Sequence, residues 1–186
     1  MPGKVFLFSG HMIDASDRPA ARFPEHAAAI ADRAIAAKLD ELQAGPHDLA
    51  ICGGACGGDL LFAQAALYRD TQLEIYLPVD EQTFLASSVD FAGSAWRARF
   101  DAVKLRAAMH LLPLEQGPLP PGQDPYELNN RWMLQQAQAH GAARIEFICL
   151  WNGEGGDGPG GTAHMFREVQ RLGGRVHWLE TKALWR

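Results

Sequence analysis

Short apolar runs alternate along almost the whole chain with longer segments whose apolar residues recur every three or four positions. The short runs are nearly continuous rather than alternating, which is typical of strands in a parallel sheet that is covered on both faces. The longer segments have the period of amphipathic helices. We therefore predict an α/β fold, a doubly wound and mostly parallel sheet with helices on both faces.

The pattern places six strands at residues 4–8, 48–52, 73–77, 109–112, 144–151 and 175–179. Helices are predicted at residues 20–43, 59–69, 94–107, 126–140 and 162–172, and residues 81–88 form either a short helix or a turn. The proline-rich segment 114–125 is expected to be a surface loop, and it is long enough to act as a lid. The 186 residues are sufficient for one domain, which we place at 1–186.

The composition restricts the class of partner. The net charge is −5 and the basic residues are scattered. A large nucleic-acid footprint needs clustered lysine and arginine, so we expect no nucleic-acid partner.

No apolar run approaches the ~20 residues that span a bilayer, and the N-terminal run is too short for a signal peptide. We expect a cytoplasmic location and no membrane contact. Contact between copies of the chain stays open, with tryptophans such as Trp185 expected to be exposed.

Three cysteines, Cys52, Cys56 and Cys149, are an odd number without the spacing of a disulfide framework. Cys52 and Cys56 can be interpreted as half of a metal site, but the sequence offers no second pair. Small buried thiols in the reduced state are the better interpretation. We expect no structural metal and no cofactor.

Two glycine clusters follow predicted strands, at residues 53–58 and 153–161. Glycine permits close approach of the backbone, and a helix that begins after such a turn presents free N–H groups and its positive dipole end to an anion. In a doubly wound sheet, ligands bind beyond the carboxyl ends of the strands, where the strand order reverses. The sequence therefore predicts a small phosphate-bearing ligand held between the two turns.

The candidate ligand-binding residues lie in these turns, after the first and fifth strands and near the start of one helix. They are Ser9, Gly10, His11, Gly53, Gly54, Gly57, Gly58, Asp59, Asn130, Arg131, Trp151, Asn152, Gly160, Gly161 and Thr162.

Each candidate has a structural alternative. The glycines can serve tight turns, and His11 can be structural. Asp59 can be a helix N-cap instead of an acceptor for ribose or base. Arg131 can pair with Glu127, four residues earlier, instead of binding phosphate. Trp151 can pack in the core instead of stacking on a base.

The order of these motifs resembles the SLOG superfamily, the Rossmann-like group that contains the LOG phosphoribohydrolases, DprA and the YpsA-type proteins. GGACGGD at 53–59 is similar to the early glycine-rich motif of that group, and GPGGT at 158–162 is similar to its later PGG-type motif. NRWM at 130–133, followed by ICLWNG at 148–153, is similar in order and spacing to the YpsA-like branch. The resemblance covers residues 4–179 and implies a Rossmann-like fold with a phosphate or nucleotide site.

One departure from that family bears on function. The later LOG motif runs PGGxGTxxE, and its glutamate takes part in cleaving an N-glycosidic bond. Arg167 occupies that position here, and the adjacent Glu168 is rotated by about 100° around a helix. The resemblance therefore does not imply LOG activity.

Two functions remain. The first is binding of a nucleotide-like ligand, as a sensor or regulatory module. The second is hydrolysis of the N-glycosidic bond of a nucleoside monophosphate, which needs a carboxylate near the anomeric carbon. The candidate carboxylates for that reaction are Glu127, Asp59 and Glu154.

Overall fold

A computed structural model describes residues 1–119, 121–154 and 161–186. The strands are β1 (Val5–Gly10), β2 (Leu49–Cys52), β3 (Gln72–Leu77), β4 (Ala108–Leu111), β5 (Ile145–Trp151) and β6 (Arg175–Glu180). They form one parallel sheet in the order β4-β3-β2-β1-β5-β6. This confirms the predicted doubly wound α/β fold.

The helices are α1 (Ala28–Glu41), α2 (Gly58–Tyr68), α3 (Glu81–Ser88), α4 (Ser94–Lys104), α5 (Leu112–Glu115), α6 (Pro125–Ala139), α7 (Thr162–Arg171) and α8 (Thr181–Leu184). Buried residues of α1, α2, α3 and α4 share one hydrophobic core with the sheet. Buried residues of α6 and α7 share a second core with it. The sheet is thus covered on both faces, which explains why its central strands are apolar on both sides.

The order of the strands reverses at β1. From β1 the chain moves outward through β2 and β3 to β4, and α6 then returns it so that β5 pairs with the other side of β1. The connections on either side of β1 therefore diverge, which opens a crevice beyond the carboxyl ends of β1 and β5.

The predicted helix at 20–43 begins later than expected, at Ala28. The preceding loop is closed by Asp14, whose Oδ2 accepts hydrogen bonds from the backbone N–H groups of Arg22 and Phe23, both at 2.9 Å. The backbone N–H of Asp14 also donates to the Phe23 carbonyl oxygen at 2.9 Å. These contacts satisfy backbone groups without a helix, and they hold Met12 and Arg22 at the carboxyl edge of the sheet.

Two other segments differ in detail from the sequence prediction. The chain at 81–88 is a helix, and Asp80 caps it by accepting a hydrogen bond from the Thr83 N–H at 3.0 Å. The predicted loop at 114–125 overlaps α5 at its start, and at its end Asp124 caps α6.

The three cysteines are buried and form no disulfide. The prediction that Trp185 is exposed is wrong. Its ring stacks on Phe23 with 5.3 Å between centroids, and its Nε1 donates to the Arg22 carbonyl oxygen at 3.0 Å. Within the described ranges, no helix combines the length and the apolar character that crossing a bilayer requires.

Candidate functional site

A cavity of about 390 Å³, called here the first cavity, lies at the crevice beyond β1 and β5. This volume falls in the range of ~300–1,000 Å³ that is usual for small-molecule sites. Its lining comprises Phe8, Ser9, Gly10, His11, Met12, Arg22, Gly53, Ala55, Asp59, Pro78, Phe84, Ser87, Ser88, Asp124, Tyr126, Glu127, Asn129, Asn130, Met133, Trp151, Gly161 and Thr162.

The start of α7 forms one wall of the first cavity. Thr162 is the first residue of α7, and no side chain caps this helix end in the described part of the chain. Thr162 Oγ1 lies 2.9 Å from Oγ of Ser9, at the end of β1. Two hydroxyl groups and the positive end of a helix dipole therefore meet at this wall, where an anion is stabilised. The predicted contact at Gly160 lies outside the described residues.

His11 connects three elements around the crevice. Its Nε2 accepts a hydrogen bond from the backbone N–H of Asn152 at 3.1 Å, so the ring nitrogen facing β5 carries no proton. Its backbone N–H donates to the Leu150 carbonyl oxygen at 2.9 Å, and its carbonyl oxygen accepts from the Gly58 N–H at 3.1 Å. His11 thus lines the first cavity and also holds the ends of β1 and β5 to the start of α2.

Three glycines of the first cluster do not line the first cavity: Gly54, Gly57 and Gly58. A Cβ added to Gly57 would lie 2.7 Å from the backbone nitrogen of Ile13. One added to Gly54 would lie 2.9 Å from the Ile75 side chain. These glycines permit close packing of the turn against its neighbours, while Gly53 faces the cavity.

Asp59 does not cap α2, because the helix begins at Gly58 and Gly57 occupies the N-cap position. The Asp59 side chain is partly buried in the cavity wall, and its Oδ2 accepts a hydrogen bond from the Ala55 N–H at 3.2 Å. Burial raises the pKa of Asp59 to about 7, although backbone hydrogen bonds from Ala55 and Gly53 oppose the rise. Near neutral pH this carboxyl group can therefore donate a hydrogen bond to a ligand.

Arg131 lies outside the lining of the first cavity. Its guanidinium pairs with Glu127 one helical turn earlier, and its side chain is 53% exposed. This is the ion pair that the sequence offered as the alternative to phosphate binding. Glu127 itself lines the cavity, so one partner of the pair faces the site and the other faces solvent.

Asn129, which sequence reasoning missed, lies beside Asn130 in the cavity wall. The Asn129 side chain is 3% exposed, and its Nδ2 donates to the carbonyl oxygen of Tyr76, at the end of β3, at 2.8 Å. Its Oδ1 has no hydrogen-bond partner among the described residues. A buried acceptor without a partner is costly, so a donor group on a ligand would satisfy it. Asn129 lies one turn before Met133 on α6, but Trp132 and Leu134 are buried as well, so the spacing alone does not single out Asn129.

A cluster of hydroxyl groups joins the end of α3 to the start of α6. Oγ of Ser87 lies 2.9 Å and Oγ of Ser88 lies 3.2 Å from the Tyr126 hydroxyl oxygen. All three residues line the first cavity. Sequence reasoning missed them, because no local pattern marks a contact between segments 38 residues apart.

Trp151 lines the first cavity and also packs in an aromatic cluster, with ring centroids 5.6 Å from Trp178 and 6.0 Å from Phe166. The Trp151 ring therefore packs against other aromatic rings and also forms part of the cavity wall.

Asn152 and Glu154 do not line the first cavity. They belong to a second cavity of about 340 Å³, lined by Arg18, Pro19, Ala20, Ala21, Arg22, Asn152, Glu154, Thr181, Lys182 and Trp185.

Charge is distributed unevenly in the first cavity. Asp124 and Glu127 lie at the start of α6, where Asp124 accepts hydrogen bonds from the N–H groups of Tyr126 and Glu127 at 2.7 and 3.2 Å. Arg22 contributes a positive charge from the loop after β1. The start of α6 repels a phosphate, and the start of α7 attracts one.

No family model and no curated protein sequence matches this chain. Among solved structures, the chain is similar to DNA processing protein A (DprA) from Streptococcus pneumoniae, with a TM-score of 0.51 and 14% identity. That match covers 95% of this chain and 50% of the other, so this chain spans about half the length of that protein. A weaker similarity, with a TM-score of 0.34 and 12% identity, is to the Moco carrier protein from Chlamydomonas reinhardtii, and it covers 97% of this chain and 91% of that one. The similarity to DprA shows a shared Rossmann-like fold, as the resemblance to the SLOG superfamily implies.

Proposed function

We propose that this chain binds a small ligand with a phosphate and a ribose in the first cavity, as a sensor or regulatory module of the YpsA-like branch. The observation that carries the proposal is the meeting of Ser9, Thr162 and the start of α7, which no described side chain caps, at the switch point of the sheet. Backbone N–H groups and hydroxyls at a helix start are a general solution for binding phosphate.

The polarity of the first cavity supports an orientation for this ligand. Its phosphate lies at the start of α7, because the carboxylates at the start of α6 repel it. The ribose or base then lies toward Asp59 and Asn129, which supply a donor and an acceptor respectively. Asp59 suits a neutral part of the ligand better than the phosphate, because the ionised form of this carboxyl would repel the phosphate.

Thr162→Val is expected to weaken the binding of a nucleoside monophosphate by about 10- to 100-fold, because a hydrogen bond to a charged group contributes ~1.5–3 kcal/mol. Isothermal titration of the four common nucleoside monophosphates measures the effect. Thr83→Val is the matched control, since the Thr83 hydroxyl bonds to Asp80 on the surface, away from the cavity. Unchanged affinity in Thr162→Val, or no stabilisation by any monophosphate at concentrations far above micromolar, would contradict the proposal.

An N-glycosidase is the second candidate function, and the carboxyls of the first cavity favour it. The pKa of Asp59 is raised to about 7, so a fraction of this carboxyl carries a proton at neutral pH, as a general acid must, and Glu127 lies in the same cavity. Glu154 is a weaker candidate than the sequence suggested, because it lines the second cavity and pairs with Lys182. Glu168 is also remote from this role, since it pairs with Arg171 at 2.8 Å and does not line the first cavity.

If the chain has this activity, incubation with nucleoside monophosphates should release free base, measured by chromatography. Asp59→Asn and Glu127→Gln should each slow release by about 100-fold, the usual order for a lost acid or base. Glu154→Gln is the control and should leave release unchanged. Absence of free base with every monophosphate would leave binding as the function.

A further inference from the structure

We propose that Asn129 recognises the base of the ligand, and that this base carries an exocyclic amino group, as adenine, guanine and cytosine do. The inference rests on the proposed binding of a nucleotide in the first cavity and names the class of its base. It comes from the fixed polarity of the Asn129 amide, from the recessed position of its oxygen and from the apolar side chains beside it.

The orientation of the Asn129 amide is fixed by the end of β3. Its Nδ2 donates to the carbonyl oxygen of Tyr76 at 2.8 Å. A carbonyl oxygen only accepts hydrogen bonds, so turning the amide by 180° would set two oxygen atoms against each other. Oδ1 therefore stays as an acceptor, and it has no hydrogen-bond partner among the described residues. A ligand group that pairs with it must donate a hydrogen bond.

Several other polar groups of the first cavity can change their polarity. The hydroxyls of Ser9, Thr162 and Tyr126 rotate, so each can donate or accept a hydrogen bond. The pKa of Asp59 is about 7, so this carboxyl donates when it is protonated and accepts when it is ionised. Such groups adapt to the ligand, whereas Asn129 rejects a ligand that presents an acceptor to it.

The neighbours of Asn129 in the cavity wall favour a base over a ribose. Met133 lies one turn further along α6, and Pro78 lies two residues after Tyr76. Both are buried, and both line the first cavity. Apolar side chains can pack on the flat faces of a base, whereas the hydroxyls of a ribose would lose their hydrogen bonds to water against them.

The recessed position of Oδ1 favours an exocyclic amino group over an N–H of the ring itself. Asn129 is 3% exposed, and its Oδ1 is buried. An amino group projects beyond the edge of the ring, so it reaches a recessed acceptor more easily than a ring N–H does. Because water has little access to this oxygen, a ligand without a donor leaves it unpaired at full cost.

Isothermal titration at one pH with pairs of nucleoside monophosphates tests the inference. The members of each pair differ by one amino group: AMP and its 6-deamino analogue, GMP and IMP, and CMP and its 4-deamino analogue. In at least one pair, the wild-type chain is expected to bind the aminated member at least about tenfold more tightly, because the other member leaves a buried acceptor unpaired. This comparison needs no substitution, so it does not depend on the folding of a variant.

Asn129→Leu should bring the ratio of the two affinities in that pair to about one, because it removes the acceptor at a similar side-chain volume. Gln135→Leu is the matched control on α6, since Gln135 is exposed and lies outside the cavity lining, and it should keep the ratio. Thr162→Val should weaken both members by the same factor, because it acts on the phosphate. Circular dichroism checks that each variant is folded at the temperature of the titration.

Three results would overturn the inference. If the members of every pair bind the wild type equally, no amino group is recognised, although the proposed function stands. If one pair differs and a folded Asn129→Leu keeps the difference, a group other than Asn129 recognises the amino group. If no nucleotide binds, the proposed function fails and the inference fails with it.

Discussion

Replacement of Gly57 by alanine is expected to lower the free energy of unfolding by about 2–6 kcal/mol, the sum of backbone strain and overpacking. Gly57 has φ +90° and ψ −129°, a conformation that residues with a Cβ rarely adopt. The added Cβ would lie 2.7 Å from the nitrogen of Ile13 and 2.9 Å from the carbonyl oxygen of His11. Both are backbone atoms and cannot rotate away. Urea unfolding at constant pH measures the loss.

Gly93→Ala separates the two contributions to that loss. Gly93 has φ +103° and ψ 169°, an equally unfavourable backbone conformation, but nothing lies within 4 Å of the position of its Cβ. It should therefore cost about 1–3 kcal/mol from strain alone. Equal losses in the two variants would mean that the close approach at Gly57 contributes nothing.

The position of Gly57 also shows how a glycine outside the cavity lining serves the site. The His11 carbonyl oxygen that the new Cβ would contact also accepts the hydrogen bond from Gly58. Displacing His11 would disturb its bond to Asn152, which joins the two cavities. The glycines of the first turn thus act on the site by fixing the loop after β1, and Gly53 is the member of that cluster that faces the first cavity.

Much of the fold could be predicted because each element has a local signal. The apolar runs located all six strands, since strands that are buried on both faces need apolar residues on both sides. The late start of α1 at Ala28 could not be predicted in this way. It depends on the Asp14 carboxylate, which binds N–H groups eight and nine residues away and so competes with helix formation.

The site was predictable where it follows the ends of strands and less so where it lies on a helix. Ser9, His11 and Trp151 line the first cavity because the carboxyl ends of parallel strands meet at one edge. On α6 the sequence pointed to Asn130 and Arg131, whereas the cavity lies against Asn129 and Asn130. Three consecutive buried residues follow Arg131, and such a run does not define which face of the helix points inward.

Asp59→Asn is expected to remove a pH-dependent loss of stability. The pKa of Asp59 is about 7 in the folded chain and 3.8 without its surroundings. Below pH 4 both states keep the proton, and between pH 4 and 7 the unfolded chain loses it first, so folding becomes less favourable as the pH rises. Above pH 7 both states are ionised and the loss is constant. This loss of unfolding free energy is on the order of 3 kcal/mol when the partial exposure of Asp59 is taken into account.

Unfolding of the wild type and of Asp59→Asn at pH 4, 5, 6, 7 and 8 tests this expectation. The asparagine oxygen can still accept the hydrogen bond from Ala55, so the variant should gain stability relative to the wild type from pH 4 to 7, and the gain should then level off. Asp17→Asn, at an exposed position, is the control and should give a constant difference across the series. If the Asp59→Asn difference is also constant, the pKa of Asp59 is the same in the folded and the unfolded chain, which contradicts the expectation.

The ionisation of Asp59 that lowers stability should also lower the affinity for the ligand. Once Asp59 loses its proton, the first cavity gains a negative charge and the carboxyl can no longer donate a hydrogen bond. A phosphate-bearing ligand should therefore bind more weakly as the pH rises through 7, while Asp59→Asn should remove the part of this change that comes from Asp59. The pH dependence that remains in Asp59→Asn shows how much of the change belongs to other groups, including the phosphate ester of the ligand, whose second pKa lies near 6. An equal pH dependence in the wild type and in Asp59→Asn would place Asp59 outside the ligand's reach.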